Sequence, residues 1–125
     1  VYGTLQRGHH NHSVMQKSGG DFIGVGETVN RYPLTVSSLP FLHNFEGVGN
    51  HVLGEVYQVE TLKWLDILES HPMFYKREVI EIALATYRMP CWTYFLNRDS
   101  RTSGDQFKEE EMHSSFSEAR ETLYH

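Results

Sequence analysis

The chain has 125 residues, a formal net charge of −5 and a hydrophobic share of 39%, which predict one globular domain without room for a separate cofactor domain. The basic residues are scattered, so the composition disfavours nucleic acid and anionic membrane surfaces as partners. No stretch approaches the roughly 20 apolar residues of a membrane-spanning helix, and no signal peptide is recognisable, although the sequence does not begin with Met.

The first segment, Val1-Tyr2-Gly3-Thr4-Leu5, is typical of an apolar strand that runs into a glycine turn. In such a turn the backbone amides of Gly3, Thr4 and Leu5 can point into one concavity and hold a carboxylate or an oxyanion. Glycine turns after strands are common, so this segment alone is a weak sign of a site. A short helix is predicted over residues 11–17, with Asn11 as its cap and Ser18-Gly19-Gly20 as its end.

Short strands make up most of the remaining pattern. They are predicted at residues 22–29, 32–36, 40–42, 52–59, 79–82 and 91–96, with a turn at 46–50 and a helix at 61–69 that Pro72 stops. The glycines inside the first of these strands indicate a bulge or a sharp curve. The fold class is therefore α+β, a small curved sheet or barrel with short helices rather than a βαβ array.

After Asn97 the composition becomes polar and charged. We expect a folded domain over residues 1–97 and, over residues 98–125, a tail that lies on the surface or is partly disordered. A weak helix is predicted near its end, at 116–123.

Glu69 is the acid that the pattern places at the end of an apolar helix. Most glutamates there are simply solvated, and the helix dipole makes a negative charge slightly unfavourable at this end, which is a modest argument for function. Asp66, one turn earlier, is the competing acid. Glu55, inside a strand, is the second choice for a supporting role, while Tyr75 and Arg77 could orient the acid, contact a substrate, or serve packing and surface charge.

The histidines and the cysteine carry weaker signals. His9-His10-Asn11-His12 lacks the acidic or cysteine partners of a specific metal site, so a polar loop is favoured. Cys91 cannot form an internal disulfide and is expected in the core; its isolation favours a reducing, cytoplasmic compartment. Neither Gly24-x-Gly26 nor Gly47-x-Gly49 opens a helix in a βαβ unit, so neither predicts a dinucleotide site.

Five ordered motifs carry a resemblance to a known family. They are Val-Tyr-Gly-Thr-Leu-x-Arg-Gly with Asn-His (1–8, 11–12), Tyr-Pro-Leu (32–34), Pro-Phe-Leu (40–42), Gly-x-Gly-x-x-Val-x-Gly-Glu-Val-Tyr-x-Val (47–59) and Leu-Asp-x-x-Glu-x-x-Pro-x-x-Tyr-x-Arg (65–77). Over about the first 96 residues the chain resembles the γ-glutamylamine cyclotransferase branch of the γ-glutamylcyclotransferase-like family, also called avirulence-induced-gene-like.

The resemblance implies a mixed fold around a small barrel and a lyase reaction without metal or organic cofactor. The γ-glutamyl part of a small substrate cyclises to 5-oxoproline and an amine leaves; in this branch the substrate is γ-glutamyl-ε-lysine, the isopeptide of degraded transglutaminase cross-links. The resemblance also implies Glu69 as general acid/base, and Tyr2, Gly3, Thr4 and Leu5 as the substrate-binding loop.

Some features depart from the family pattern. The chain is short after Ser37-Ser38, between Val59 and Leu62, and between Ile82 and Cys91, either because these loops are short or because residues are missing there. The loops border the expected pocket and could set the leaving-group preference. Alternatives therefore stay open: a cyclotransferase for γ-glutamyl amino acids, or a non-catalytic module that binds a small carboxylate or a protein. The oligomeric state is not encoded in any motif; a monomer is favoured.

Overall fold

The computed structural model describes residues 1–37, 39–97 and 107–116. Their elements, in chain order, are α1 (His12–Lys17), β1 (Asp21–Thr28), β2 (Leu34–Val36), β3 (Pro40–Leu42), β4 (Leu53–Gln58), α2 (Lys63–Leu68), β5 (Tyr75–Ala83), β6 (Arg88–Leu96) and a 3-10 helix (Glu109–Glu111). Among these residues, no helix has the length and apolar character that crossing a membrane requires.

The main sheet has the antiparallel strand order β4-β1-β5-β6, and β2 and β3 form a separate two-stranded ribbon. The predicted α+β class with a small curved sheet and short helices is confirmed. The register of β1 against β4 shifts between Phe22 and Gly24, so the predicted irregularity in this strand is present. Further along the same strand, a Cβ at Gly26 would lie 2.6 Å from Cγ2 of Ile82, so the close approach of β5 requires glycine there.

The long hairpin of β5 and β6 corrects one boundary of the sequence analysis. The two strands pair without interruption from Tyr75 opposite Leu96 to Ala83 opposite Arg88, and the amide of Leu84 donates to the carbonyl of Tyr87 at 2.8 Å to close the turn. Residues 88–90, predicted as part of the connection, therefore belong to β6. Strand β5 likewise begins four residues earlier than the apolar pattern indicated.

Gly54 on β4 allows the start of the chain to lie directly against the sheet. A Cβ at this position would lie 2.5 Å from the carbonyl oxygen of Val1. The nitrogen of Val1 donates to the carbonyl of Glu55, and the amide of Glu55 donates to the carbonyl of Val1, both at 2.7 Å. This backbone pairing fixes where the glycine turn at residues 2–5 begins.

Two buried clusters form the core. One contains Leu5, Met15, Leu65, Tyr75 and Tyr94, and it joins the amino-terminal turn to α1, α2 and the β5–β6 hairpin. The other contains Tyr32, Leu34, Leu42, Val52 and Phe95. Each fully buried apolar side chain of this size contributes about 1.5–3 kcal/mol. The first cluster is thus the packing that holds the predicted loop and the predicted acid on one side of the molecule.

Part of the polar tail packs on the domain. Phe116 is buried, with its ring 5.4 Å from that of His9, and the ring of Phe107 lies 4.6 Å from that of His43. The amide of His113 donates to the carbonyl of Leu34 at 2.9 Å. Residues 107–116 therefore cover the domain surface. The division at residue 97 stays a prediction, and most of the helix predicted at 116–123 lies outside the described residues.

Candidate active site

A pocket of about 810 Å³ opens among the amino-terminal turn, β4, the end of α2 and the β5–β6 hairpin. This volume is in the range of pockets that bind small molecules. Most of the residues singled out from the sequence line it, namely Tyr2, Gly3, Thr4, Leu5, Glu55, Glu69 and Tyr75, whereas Asp66 and Arg77 do not. The structure thus brings together residues that are far apart in the chain.

The carbonyl oxygens of Gly3, Thr4 and Leu5 in the amino-terminal turn have partners. The Gly3 carbonyl accepts the amide of Gln6 at 3.1 Å, the Thr4 carbonyl accepts the amide of Asn11 at 3.0 Å, and the Leu5 carbonyl lies 2.9 Å from Nδ1 of His12. The Asn11 side chain donates to the Thr4 hydroxyl at 2.9 Å instead of capping α1, which corrects the predicted cap. The turn is therefore rigidly held from its outer side.

The amides of Gly3, Thr4 and Leu5, in contrast, donate to no acceptor among the described residues. Gly3 itself is buried, and a Cβ there would lie 2.7 Å from Cγ of Pro40. Consecutive free amides in a fixed turn provide partial positive charge for an anion. The turn can thus hold a carboxylate or a developing oxyanion in the pocket.

Glu55 fastens this turn to β4. Its carboxylate accepts the backbone amide of Arg7 at 2.7 Å, Nε of Arg7 at 2.8 Å and the hydroxyl of Tyr57 at 2.9 Å. Burial opposes ionisation of Glu55, but the hydrogen bonds from Arg7 and Tyr57 and the charge of Arg7 outweigh it, so its pKa lies below the ordinary value. The geometry fits an anchor for the turn better than a proton acceptor.

Glu69 has different surroundings. It follows α2 directly, where its amide donates to the carbonyl of Leu65 at 2.9 Å and its carbonyl accepts the amide of Tyr75 at 3.2 Å. Burial raises the pKa of Glu69 to about 7. Burial also raises the pKa values of Tyr2 and Tyr75, and the charge of Glu69 raises them further. No hydrogen bond or ion pair to the Glu69 carboxylate is present within the part of the chain that the structure describes.

Asp66, the competing acid, accepts two hydrogen bonds on one carboxylate oxygen. Its Oδ1 accepts the hydroxyl of Tyr94 at 2.5 Å and Nε of Arg77 at 3.0 Å. Burial opposes its ionisation, but these hydrogen bonds and the charge of Arg77 outweigh it, so the pKa of Asp66 is lowered. An acid held in this way is a poor proton acceptor near neutral pH. The geometry therefore favours Glu69 over Asp66.

Tyr94 is the member of this site that the sequence analysis missed. It lies opposite Arg77 in the β5–β6 register, and its backbone carbonyl accepts the hydroxyl of Tyr2 at 2.5 Å. No local motif marks it, because its partners come from β5, α2 and the amino-terminal turn. Only the register of the hairpin, once known, would have placed Tyr94 beside Arg77.

The remaining sequence candidates take other positions. His12 contacts the turn through the Leu5 carbonyl, and within the described ranges no three histidine, cysteine or acidic side chains are grouped to hold a metal ion. Cys91, expected in the core, is half-buried on β6 and lines the pocket. Tyr75 donates its hydroxyl to the carbonyl of Pro40 at 2.6 Å, so it joins the pocket wall to β3.

Comparisons with known proteins agree with this geometry. The family model described as "Gamma-glutamyl cyclotransferase, AIG2-like" matches residues 1–115. A γ-glutamylcyclotransferase-type protein of Methanocaldococcus jannaschii is 39% identical over 98 residues, which cover 76% of this chain and 80% of that protein. The human γ-glutamylaminecyclotransferase is 39% identical over 98 residues, which cover 72% of this chain and 64% of the human protein. This chain thus spans slightly less than two thirds of the human relative.

The fold is also similar to a solved structure. The crystal structure of a mouse AIG2-like protein matches with a TM-score of 0.75 and 30% sequence identity, over 93% of this chain and 84% of the mouse chain. The resemblance stated from the five sequence motifs is confirmed by the family match, the relatives and this structure.

Proposed function

This chain belongs to the AIG2-like γ-glutamyl cyclotransferase family of lyase-type enzymes, and we propose that it converts γ-glutamylamines to 5-oxoproline and a free amine. Among such compounds, we propose γ-glutamyl-ε-lysine as the preferred substrate. The 39% identity to the human γ-glutamylaminecyclotransferase supports this choice.

In this proposal Glu69 is the general acid/base. The α-amine of a γ-glutamyl group has an ordinary pKa of about 8, so near neutral pH it is mostly protonated and cannot attack. The ionised Glu69 carboxylate removes one proton from the ammonium. The freed amine then attacks the γ-carbonyl carbon, which forms the new C–N bond of a five-membered ring. Since donor and acceptor belong to one molecule, the pocket has only to fold the substrate correctly.

The amino-terminal turn completes the reaction. As the ring closes, the γ-carbonyl oxygen becomes an oxyanion, for which the amides of Gly3, Thr4 and Leu5 supply donors. The bond from the γ-carbon to the leaving nitrogen then breaks as the oxyanion collapses to the lactam carbonyl. Glu69 returns its proton to the departing nitrogen, and the second proton that the ring nitrogen still carries passes through Glu69 to the released amine, which leaves as an ammonium ion. The ring nitrogen thus ends as a lactam N–H and Glu69 as a carboxylate. Each step uses groups of the described pocket.

A single observation carries the proposal: the pocket combines an acid with a pKa of about 7 and a turn with three unused amides. A base is most effective when its pKa is close to the working pH. Donors fixed before the reaction stabilise charge without reorganisation. Both features fit an acyl-transfer reaction better than passive binding of a carboxylate.

The direct test is release of 5-oxoproline from γ-glutamyl-ε-lysine, γ-glutamyl-alanine and glutathione, each at equal concentration. We expect the first to give the highest kcat/KM. In Glu69→Gln, which keeps the side-chain shape but cannot accept the ammonium proton, we expect turnover to fall on the order of 10²-fold or more. Glu55→Gln and Asp66→Asn serve as comparisons. The first removes the other carboxylate that lines the pocket, and the second removes a carboxylate one helical turn before Glu69.

Each outcome separates the alternatives. Preference for γ-glutamyl-alanine would assign the chain to γ-glutamyl amino acids instead of amines. Binding of these compounds without any 5-oxoproline release would support the non-catalytic module. Near wild-type release by Glu69→Gln would overturn the role of Glu69 and direct attention to Asp66 or Glu55.

A further inference from the structure

Tyr94 contacts both α2 and the amino-terminal turn through two separate groups. Its hydroxyl donates to Oδ1 of Asp66 at 2.5 Å, and its backbone carbonyl accepts the hydroxyl of Tyr2 at 2.5 Å. Asp66 lies one helical turn before Glu69, and Tyr2 is the first residue of the amino-terminal turn. We propose that Tyr94, with Asp66, is a positioning residue that sets the placement of the Glu69 carboxylate relative to the amides of the turn.

Helix α2, which directly precedes Glu69, needs contacts with other elements to keep its orientation. Helix α2 has six residues; its N-cap residue, Leu62, makes no side-chain capping bond, and the hydroxyl of Thr61 accepts the amide of Lys63 at 3.1 Å. An isolated helix of this length is unstable in water, so its orientation depends on tertiary contacts. Leu65 supplies the apolar contact in the core, and Asp66 supplies the polar one. Glu69 follows the last helical residue, where a rotation of the helix would displace its carboxylate most.

Four further interactions stiffen the hold on Asp66. Nε of Arg77 donates to the same oxygen as Tyr94, at 3.0 Å, while the guanidinium lies 4.4 Å from the ring centre of Trp92. The amide of His71 donates to the Asp66 carbonyl at 2.9 Å, and the amide of Arg77 donates to Nδ1 of His71 at 3.2 Å. Charge-assisted hydrogen bonds are about twice as strong as neutral ones. Arg77 on β5 and Tyr94 on β6 thus hold α2 within one helical turn of Glu69.

The inference rests on the proposed function for its catalytic meaning, because a misplacement of about 1 Å in an active site can reduce the rate up to 10²-fold. A merely structural role for Tyr94 would lower stability without changing how Glu69 ionises or reacts. A conservative variant of Tyr94 therefore distinguishes the two roles. If Tyr94 positions Glu69, the variant changes the rate and the ionisation of Glu69; if Tyr94 is merely structural, it changes only the stability.

The experiment compares Tyr94→Phe with wild type by two readouts. The first is kinetics, where we expect kcat for γ-glutamyl-ε-lysine to fall roughly 10-fold or more with KM within about twofold. The second is the titration of the Glu69 carboxyl followed by NMR on protein with 13C-labelled glutamate, its signal being identified by its loss in Glu69→Gln. We expect the titration midpoint to move from about 7 toward the ordinary value by at least about half a pH unit.

Tyr32→Phe is the matched control. Tyr32 is 4% exposed and Tyr94 7%, but Tyr32 belongs to the other core cluster and does not line the pocket. We expect Tyr32→Phe to retain the wild-type kcat and the wild-type midpoint even if its melting temperature falls equally. Asp66→Asn should reproduce the Tyr94→Phe effects, and the double variant should lose less than the sum, since both remove one contact.

An unchanged kcat and an unchanged Glu69 midpoint in Tyr94→Phe would overturn the inference. If Tyr94→Phe does not fold, Asp66→Asn carries the test with the same two readouts and the same criterion. If wild type releases no 5-oxoproline, the proposed function fails, while the NMR midpoint still shows whether Tyr94 controls the placement of Glu69.

Discussion

Asp66 and Glu69 lie three residues apart at the end of one short helix, yet their pKa values are shifted in opposite directions from the ordinary value. Asp66 is held ionised by Tyr94 and Arg77, whereas burial without a donor raises the pKa of Glu69 to about 7. Two acids whose pKa values differ in this way can have different roles. One stays charged, and the other can exchange protons near neutral pH.

The raised pKa of Glu69 predicts that Glu69→Gln stabilises the protein above neutral pH. The folded-state pKa is about 7 and the ordinary value is 4.5, so the folded state holds the proton more tightly, and stability is lost as pH rises from 4.5 through 7. At about 1.4 kcal/mol per pH unit, the cost above pH 7 is on the order of 3 kcal/mol. Glutamine, being neutral, avoids this cost.

Denaturant unfolding of wild type and Glu69→Gln at pH 4 and pH 8 measures this effect. The variant should be more stable at pH 8 and nearly equal to wild type at pH 4. Asp66→Asn is the opposite control, since the lowered pKa of Asp66 stabilises the fold above its ordinary pKa, and removing that charge should destabilise the protein at pH 8. Equal stability of Glu69→Gln and wild type at pH 8 would mean that Glu69 is well solvated.

Catalysis should follow the same ionisation. Since a general base must be deprotonated in the free enzyme, kcat/KM for a γ-glutamylamine should rise with a midpoint near 7. Between pH 5.5 and pH 7.5 this corresponds to a roughly 25-fold increase, whereas a base with an ordinary pKa of 4.5 would give a change of about a tenth. Initial rates of 5-oxoproline formation, with substrate far below KM, distinguish the two cases.

The limits of the sequence analysis follow from the range of the interactions involved. The turn at residues 2–5, the end of α2 and the strands were predictable because glycine, proline and alternating apolar residues act locally. The hydrogen bond from Asn11 to Thr4 and the role of Tyr94 were not predictable, because the partners of both residues lie on other elements. Residues 107–116 were expected to be polar tail, yet Phe107 and Phe116 find aromatic partners on the domain.

A methyl group at Gly3 should impair the turn. The added Cβ of Gly3→Ala would lie 2.7 Å from Cγ of Pro40, and the proline ring cannot rotate away as a flexible side chain could. The turn must then shift, and its amides no longer have the orientation needed to donate to the oxyanion. We therefore expect kcat/KM to fall roughly 10-fold or more. Gly24→Ala on β1 is the control, because its Cβ would meet only the end of the Leu84 side chain at 3.2 Å. Equal activity of the two variants would contradict a precise role for the turn.

Glu55→Gln should loosen the same turn without touching the base. In wild type the two carboxylate oxygens of Glu55 accept the backbone amide and Nε of Arg7. Glutamine keeps only one of these oxygens and has no negative charge. Hydrogen bonds to a charged group contribute about 1.5–3 kcal/mol each, so kcat/KM should fall about 10- to 100-fold. The pH midpoint should stay near 7, since Glu69 is unchanged.

The control for this variant is Glu78→Gln, which removes a surface ion pair with Lys76 at 3.4 Å. Exposed pairs of this kind contribute about 0–1 kcal/mol, so its activity should equal that of wild type. The pH profile decides the assignment of Glu55. If Glu55→Gln removes the rise near pH 7 while Glu69→Gln keeps it, the two glutamates exchange roles, and Glu55 becomes the base despite its hydrogen bonds to Arg7. If Glu55→Gln lowers kcat/KM with the midpoint preserved, the anchored turn and the buried acid act as two separable parts of one site.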